Sequence, residues 1–140
     1  MEREFAPLRL ENQLCFPLYA ASREIIKRYR PHLDALDLTY TQYITMMVLW
    51  EQGCISVKEL GQKLYLDSGT LTPLLKHLEQ KGYLTRRRSE QDERVLLVEI
   101  TEEGLALREK AVDIPQKMGA CVRLTKEEAA VLYSLLYKLL

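Results

Sequence analysis

Apolar residues recur along this chain at two periods, and the change between them divides it into parts. Leu14, Leu18, Ala21 and Ile25 follow one another at steps of four, three and four, the spacing of one helix face. They predict a helix over residues 10–30, closed by Pro31, which disfavours helical geometry at the residue before it. A second helix is predicted over residues 41–51, apolar almost throughout, with Gln52-Gly53 as its stop. Ser56 followed by Glu59 is a capping-box pair and opens a short helix to Leu64. Asp67-Ser68-Gly69 ends that helix and caps the next, which runs to about Lys81 and stops at Gly82. Two short helices joined by a tight polar turn are the helix-turn-helix layout.

From Tyr83 the period becomes that of strands. Residues 83–88 and 95–100, joined by the charged turn 89–93, predict a β-hairpin with a basic first arm. Thr101 caps a further helix with Glu102 and Glu103 in its first turn, and Pro115 ends or kinks it. Thr125 and Glu128 form a second capping-box pair, opening a last helix to Leu140 with a wide apolar face of Val131, Leu132, Leu135, Leu136 and Leu139. The expected fold is mainly α with a small β-hairpin wing. It is a winged helix-turn-helix core at residues 41–101 within one domain spanning 1–140. Residues 8–40 and 102–140 supply N- and C-terminal helices whose apolar faces need a partner subunit. A two-fold dimer places two recognition helices about 34 Å apart, one turn of DNA.

Composition narrows the function. Twenty Lys and Arg residues balance twenty Asp and Glu, which excludes a protein that binds through bulk positive charge. A neutral chain still gathers basic groups on one face. The second short helix turns Leu71, Leu74, Leu75 and Leu78 to one side. Its other side presents Ser68, Gly69, Thr70, Thr72, Pro73, Lys76, His77 and Gln80. Small polar groups with one lysine suit a major groove, and Arg86, Arg87, Arg88 and Arg94 bracket the hairpin where a wing meets the backbone or minor groove. An ordinary solvated helix face and charged turn would give the same pattern. No stretch reads as a membrane span or signal peptide, so the chain is expected in the cytoplasm. Three scattered cysteines and two histidines give neither a disulfide scaffold nor a metal site, and no cofactor is expected. Cys54, after Gly53, reads as structural.

Cys15 lies on a stripe with Tyr19, Ser22, Ile26 and Tyr29. The plain reading is a small hydrophobe. Yet Tyr19, Tyr29, Tyr40 and Tyr43 fall within thirty residues of it, and phenols hydrogen-bond a thiolate. Tyr29 is fourteen residues on, about 21 Å along a continuous helix, so it reaches a Cys15 only across a dimer interface. Pro17 hints that the regular helix begins near Cys15, with its positive end close to the sulfur. Phe16, Met46, Met47 and Trp50 are apolar groups that line such a thiol or fill the core.

Tyr83-Leu84-Thr85-Arg86, leading through Asp92-Glu93-Arg94 to Leu-Val-Glu-Ile-Thr-Glu-Glu-Gly, resembles the MarR winged-helix family. Leu10-Glu-Asn-Gln-Leu-Cys15-Phe, Tyr19-Ala-Ala-Ser-Arg23, Leu38-Thr-Tyr40-Thr-Gln-Tyr43 and Asp67-Ser-Gly-Thr-Leu-Thr-Pro73 resemble its organic-hydroperoxide-responsive repressors, the OhrR type. The resemblance covers about residues 8–118. It implies a homodimeric repressor that binds double-stranded operator DNA when reduced. It also implies that Cys15 is the peroxide-sensing cysteine, supported by Tyr29 and Tyr40 of the other subunit, and that organic hydroperoxide is the inducer. The sulfenic acid formed on Cys15 would condense with a second thiol, either Cys121 or a low-molecular-weight thiol. The alternatives are a MarR-type regulator switched by a small-molecule ligand with Cys15 structural, a thiol peroxidase, and a winged helix that binds protein rather than DNA.

Overall fold

The computed structural model describes residues 4–140; the first three residues of the expected domain lie outside the described residues. Two 3-10 turns, Ala6–Leu8 and Leu10–Asn12, precede helix α1, Cys15–Asp34. The side chains of Asn12 and Gln13 tie these turns off by donating to the carbonyls of Ala6, Pro7 and Arg9 at 2.7–2.8 Å. The helix therefore starts five residues later than its apolar stripe suggests, because Pro17 sits comfortably only in a first turn. It also runs through Pro31 instead of stopping there. Pro31 and Lys27 are both solvent-exposed, so the carbonyl that loses its intrahelical donor faces water. A left-handed Asp37 (φ 53°) then turns the chain.

Thr39 and Gln42 form a reciprocal capping box that opens α2, Tyr40–Gln52. Gly53, at φ 76°, ends it in a backbone conformation that favours glycine, its amide donating to the Leu49 carbonyl. Next comes a strand where the sequence pattern shows only a loop, β1, Cys54–Ser56. Three residues are too few to show a period of two, and their pairing is supplied by a distant partner. Helix α3, Val57–Leu64, has Ser56 as its cap, accepting from the Glu59 amide; the return bond of the expected box is absent. Helix α4, Ser68–Gln80, follows a turn at left-handed Tyr65. Strands β2, Leu84–Arg88, and β3, Leu96–Ile100, form the hairpin.

All three strands are antiparallel in the order β1-β3-β2, with Ile55 opposite Val98 and Arg86 opposite Val98 across the other edge. The sheet thus anchors the wing to the helix-turn-helix. Helix α5, Glu102–Ala111, is capped by Thr101. Pro115 does not kink it. It sits in the first turn of a separate helix α6, Ile114–Cys121, where a missing N–H costs nothing. Helix α7, Lys126–Tyr137, carries the second capping box and ends three residues before the expected Leu140.

One core joins these elements. Met46 and Leu49 of α2, Leu60 of α3, Leu71, Leu75 and Leu78 of α4, Leu84 and Val98 are all fully buried. Each such side chain contributes roughly 1.5–3 kcal/mol on leaving water. The outer helices contrast with this. Leu33 is the one buried residue of α1, and α7 has none. Leu14, Leu18, Ile25, Leu132 and Leu135 face solvent in the single chain, Leu14 at 82 % exposure.

Candidate DNA-binding surface and thiol site

Helix α4 buries Leu71, Leu74, Leu75 and Leu78, as the leucine spacing predicts, and this fixes which face is presented outward. Ser68, Thr72, Lys76 and Gln80 make an exposed row at steps of four, flanked by exposed Gly69, Thr70, Pro73 and His77. The Asp67 carboxylate accepts the Thr70 amide at 2.8 Å, and that bond holds the carboxyl below its usual range. The Thr72 hydroxyl donates to its own helix, at the Ser68 carbonyl, 2.8 Å away, leaving its lone pairs outward.

At the wing tip Asp92 grips Arg94. Its Oδ1 accepts the Arg94 amide and Nε, each at 3.1 Å, and Oδ2 accepts Nη2 at 3.2 Å. The arginine side chain is 90 % exposed, so the carboxylate aims a cation outward without burying it. Arg94 also holds the Asp92 carboxyl below the ordinary carboxylate range. Arg88 is exposed at the end of β2.

Arg86 differs from the expectation of a free wing cation. Its Nη2 and Nε donate to Glu79 Oε1 at 3.0 and 3.3 Å, and its amide donates to Oε2 at 2.9 Å. Glu79 is a functional candidate that the sequence pattern does not single out. The signal is there, an acid on α4 seven residues before an arginine on a strand, but its meaning depends on how strand and helix pack. Arg87, next along, pairs with Glu99 of β3 at 3.4 Å.

The thiol site is built on α1 and α2. Cys15 is the first residue of α1 and is exposed. At the far end of the helix Tyr29 packs on Tyr40 and Tyr43, with ring centroids 5.0 and 5.8 Å away, and Tyr43 leans edge-on against Trp50 at 6.3 Å. Burial raises the pKa of all three phenols, and the neighbouring Tyr29 adds to the rise at Tyr40 and Tyr43. Their protons are therefore retained at neutral pH, available for donation. Tyr19 stands apart, accepting from Arg23 Nη1 at 3.0 Å.

Met46 is a core residue, and half-buried Trp50 packs against the core and donates through Nε1 to the Gly104 carbonyl at 2.8 Å. Met47 and Phe16 are surface residues. Cys121 closes α6 beside α1, where Arg28 Nη1 donates to its carbonyl at 3.1 Å. That places it by the Arg28 end of α1, thirteen residues and about 20 Å along the helix from its own Cys15. Cys54 is exposed at the start of β1, opposite Glu99.

Relatives fit this geometry. The family described as transcriptional regulator SarA/Rot matches residues 23–111. The organic hydroperoxide resistance transcriptional regulator of Bacillus subtilis is 53 % identical over 140 residues, all of this chain and 95 % of that protein. The chain belongs to the MarR family of winged-helix transcriptional regulators. Within that family it groups with the organic-hydroperoxide-resistance regulators, and these relatives are DNA-binding regulators rather than enzymes. Escherichia coli MarR, as a cysteine-to-serine mutant complexed with operator DNA, superimposes with a TM-score of 0.79 at 29 % identity, covering 91 % of this chain and 93 % of that one. AbfR of Staphylococcus epidermidis, reduced and bound to DNA, gives 0.80 at 34 % identity, with 99 and 96 % covered. Its disulfide form gives 0.65 at 33 % identity, with 99 and 94 % covered. Among the described residues no helix is long and apolar enough to cross a membrane.

Proposed function

We propose that this regulator is a redox-sensing repressor. In this reading it holds double-stranded operator DNA while Cys15 is reduced and releases it when an organic hydroperoxide oxidises that thiol. The observation that carries the reading is the separation of two complementary halves on one helix. An exposed cysteine occupies the first turn of α1, where the backbone dipole favours an anion. A cluster of protonated phenols sits fourteen residues further on. The hydrogen bonds of the described residues include none from the Tyr29 or Tyr40 hydroxyl. Neither half is complete in one chain. An antiparallel second copy brings Tyr29 and Tyr40 of the partner subunit to Cys15, and the exposed apolar faces of α1 and α7 supply the homodimer contact.

The chemistry balances simply. The Cys15 thiolate attacks the terminal peroxide oxygen, the O–O bond breaks, and the alkoxide leaves as an alcohol after taking a proton. Sulfur loses two electrons and becomes a sulfenic acid. A second thiol then displaces water from it to give a disulfide. Cys121 packs beside the Arg28 end of α1, so an antiparallel partner helix also carries its Cys121 toward Cys15. Within one chain the two sulfurs are too far apart along α1 for a disulfide. A low-molecular-weight thiol serves equally as the resolving partner. A cytoplasmic location follows from the work of a DNA-bound repressor.

The test is a titration with cumene hydroperoxide, following DNA binding by anisotropy and Cys15 by intact mass and sulfenate trapping. The reading expects the bound fraction to fall in step with oxidised Cys15, at about one equivalent per subunit. Continuous peroxide consumption with excess thiol, or release that precedes any change at Cys15, overturns it.

A further inference from the structure

We infer that Glu79 is a positioning residue for DNA binding: through Arg86 it locks the wing to the recognition helix, and Arg86 itself does not engage the phosphate backbone. The inference rests on the DNA-binding role of the family and is independent of the redox reading.

Strand β2 is an edge strand, so every second amide along it lacks a partner in the sheet. The amide of Arg86 is one of these, and Glu79 Oε2 closes it at 2.9 Å. The other carboxylate oxygen takes both Nη2 and Nε of the same residue. One carboxylate from the last turn of α4 thus receives three donors from one residue of β2. Both side chains are largely covered, with 23 % of Arg86 and 36 % of Glu79 exposed, whereas the Arg94 side chain is 90 % exposed. A guanidinium that is planar and forked suits this two-sided grip, and a lysine does not.

The link between the two DNA-reading elements explains why such a clamp matters. Only Lys81, Gly82 and Tyr83 join α4 to β2, and Gly82 adopts φ 85°, a left-handed conformation open to glycine. Beneath it Leu78 and Leu84 pack in the core, and pairing with β3 holds β2 along its inner edge, but that pairing leaves the outer edge facing α4 without backbone partners. The Glu79–Arg86 contact lies two residues beyond Leu84 along β2 and ties that outer edge to α4 directly. The hairpin continues from there to Asp92 and Arg94, so a small tilt at Arg86 becomes a larger displacement at the wing tip. Recognition helix and wing engage DNA together only when their angle is held.

The experiment measures affinity of the reduced, full-length protein for a duplex carrying the region upstream of its own gene, over a range of salt. Glu79→Gln and Arg86→Lys are each expected to weaken binding roughly tenfold, the scale of losing hydrogen bonds to a charged group. The slope of log K against log salt stays that of the wild type, because no phosphate contact is lost. The double variant is expected to be no worse than either single one, since both remove the same contact. Arg94→Gln serves as the comparison and flattens the slope by about one. Circular dichroism melting of each variant confirms that the folded protein is being assayed, and Glu79→Gln is nearly isosteric. Three results each overturn the proposal: folded Glu79→Gln with unchanged affinity, tighter binding by Glu79→Gln, or full affinity in Arg86→Lys. The last two identify Arg86 as a phosphate ligand that Glu79 merely competes for.

Discussion

A helix has a fixed rise, so the sequence alone excludes contact between Tyr29 and Cys15 of one chain across fourteen residues, whereas Tyr40 enters as a proposed companion only through the family resemblance. Their mutual packing at 5.0 Å is not legible, since it depends on how α1 and α2 cross. The proposed role makes a sharp demand on their hydroxyls. Replacing either tyrosine by phenylalanine keeps the ring stack and removes one donor. Tyr40→Phe and Tyr29→Phe are therefore expected to slow oxidation of Cys15 by organic hydroperoxide about tenfold each, with melting temperatures near the wild type. Stopped-flow oxidation of the purified variants reads this directly, and unchanged rates in both would remove the phenols from the mechanism. Arg86 teaches the opposite lesson. Charge alone places it with Arg88 and Arg94 on a DNA-facing wing, yet a carboxylate seven residues earlier engages it. Sequence reveals the charge of a side chain but not which neighbour meets it.

Among the elements, α4 is the most readable. Its leucine spacing, its Asp67 cap and the glycine after it all agree, and the structure reproduces its bounds within a residue. The first helix is less so. Its apolar stripe extends back into 3-10 turns, and a proline inside a solvent-facing helix has the same local signature as one that ends it. The short β1 is invisible because its order comes from Glu99, Val98 and Leu97 on a strand some forty residues away. One residue joins these elements tightly enough for a firm prediction. A Cβ at Gly104 would collide with the Tyr83 carbonyl oxygen and lie 2.7 Å from Ile100 Cγ1, while the carbonyl of Gly104 accepts from Trp50. Gly104→Ala should cost about 2–3 kcal/mol by overpacking. Urea unfolding followed by tryptophan fluorescence checks it, and a loss under about 0.5 kcal/mol, the level of an ordinary surface change, would mean that α5 is not held as described.

At the scale of the molecule, the buried core is centred on the winged helix and reaches Leu33 of α1, Leu107 of α5 and Met118 of α6, while most of the apolar residues of α1 and α7 stay exposed in a single chain. That division is predictable from apolar faces wider than one chain can cover. What covers them is not, because a monomer sequence carries no direct record of its partner. A homodimer seated on α1 and α7 predicts that Leu132→Glu together with Leu135→Glu raises the dimer dissociation constant by at least about a hundredfold, two charges each costing well over 1 kcal/mol to bury. Sedimentation equilibrium across a wide concentration range measures it; a monomeric wild type, or a variant as dimeric as the wild type, contradicts that interface.

In the proposed mechanism one sulfur atom governs DNA affinity. The most direct test compares operator binding by the wild type and Cys15→Ser, at fixed salt, before and after one equivalent of organic hydroperoxide. Both proteins are expected to bind when reduced; peroxide then releases the wild type from the duplex, and Cys15→Ser stays bound. If both remain bound, or both let go alike, Cys15 is not the switch.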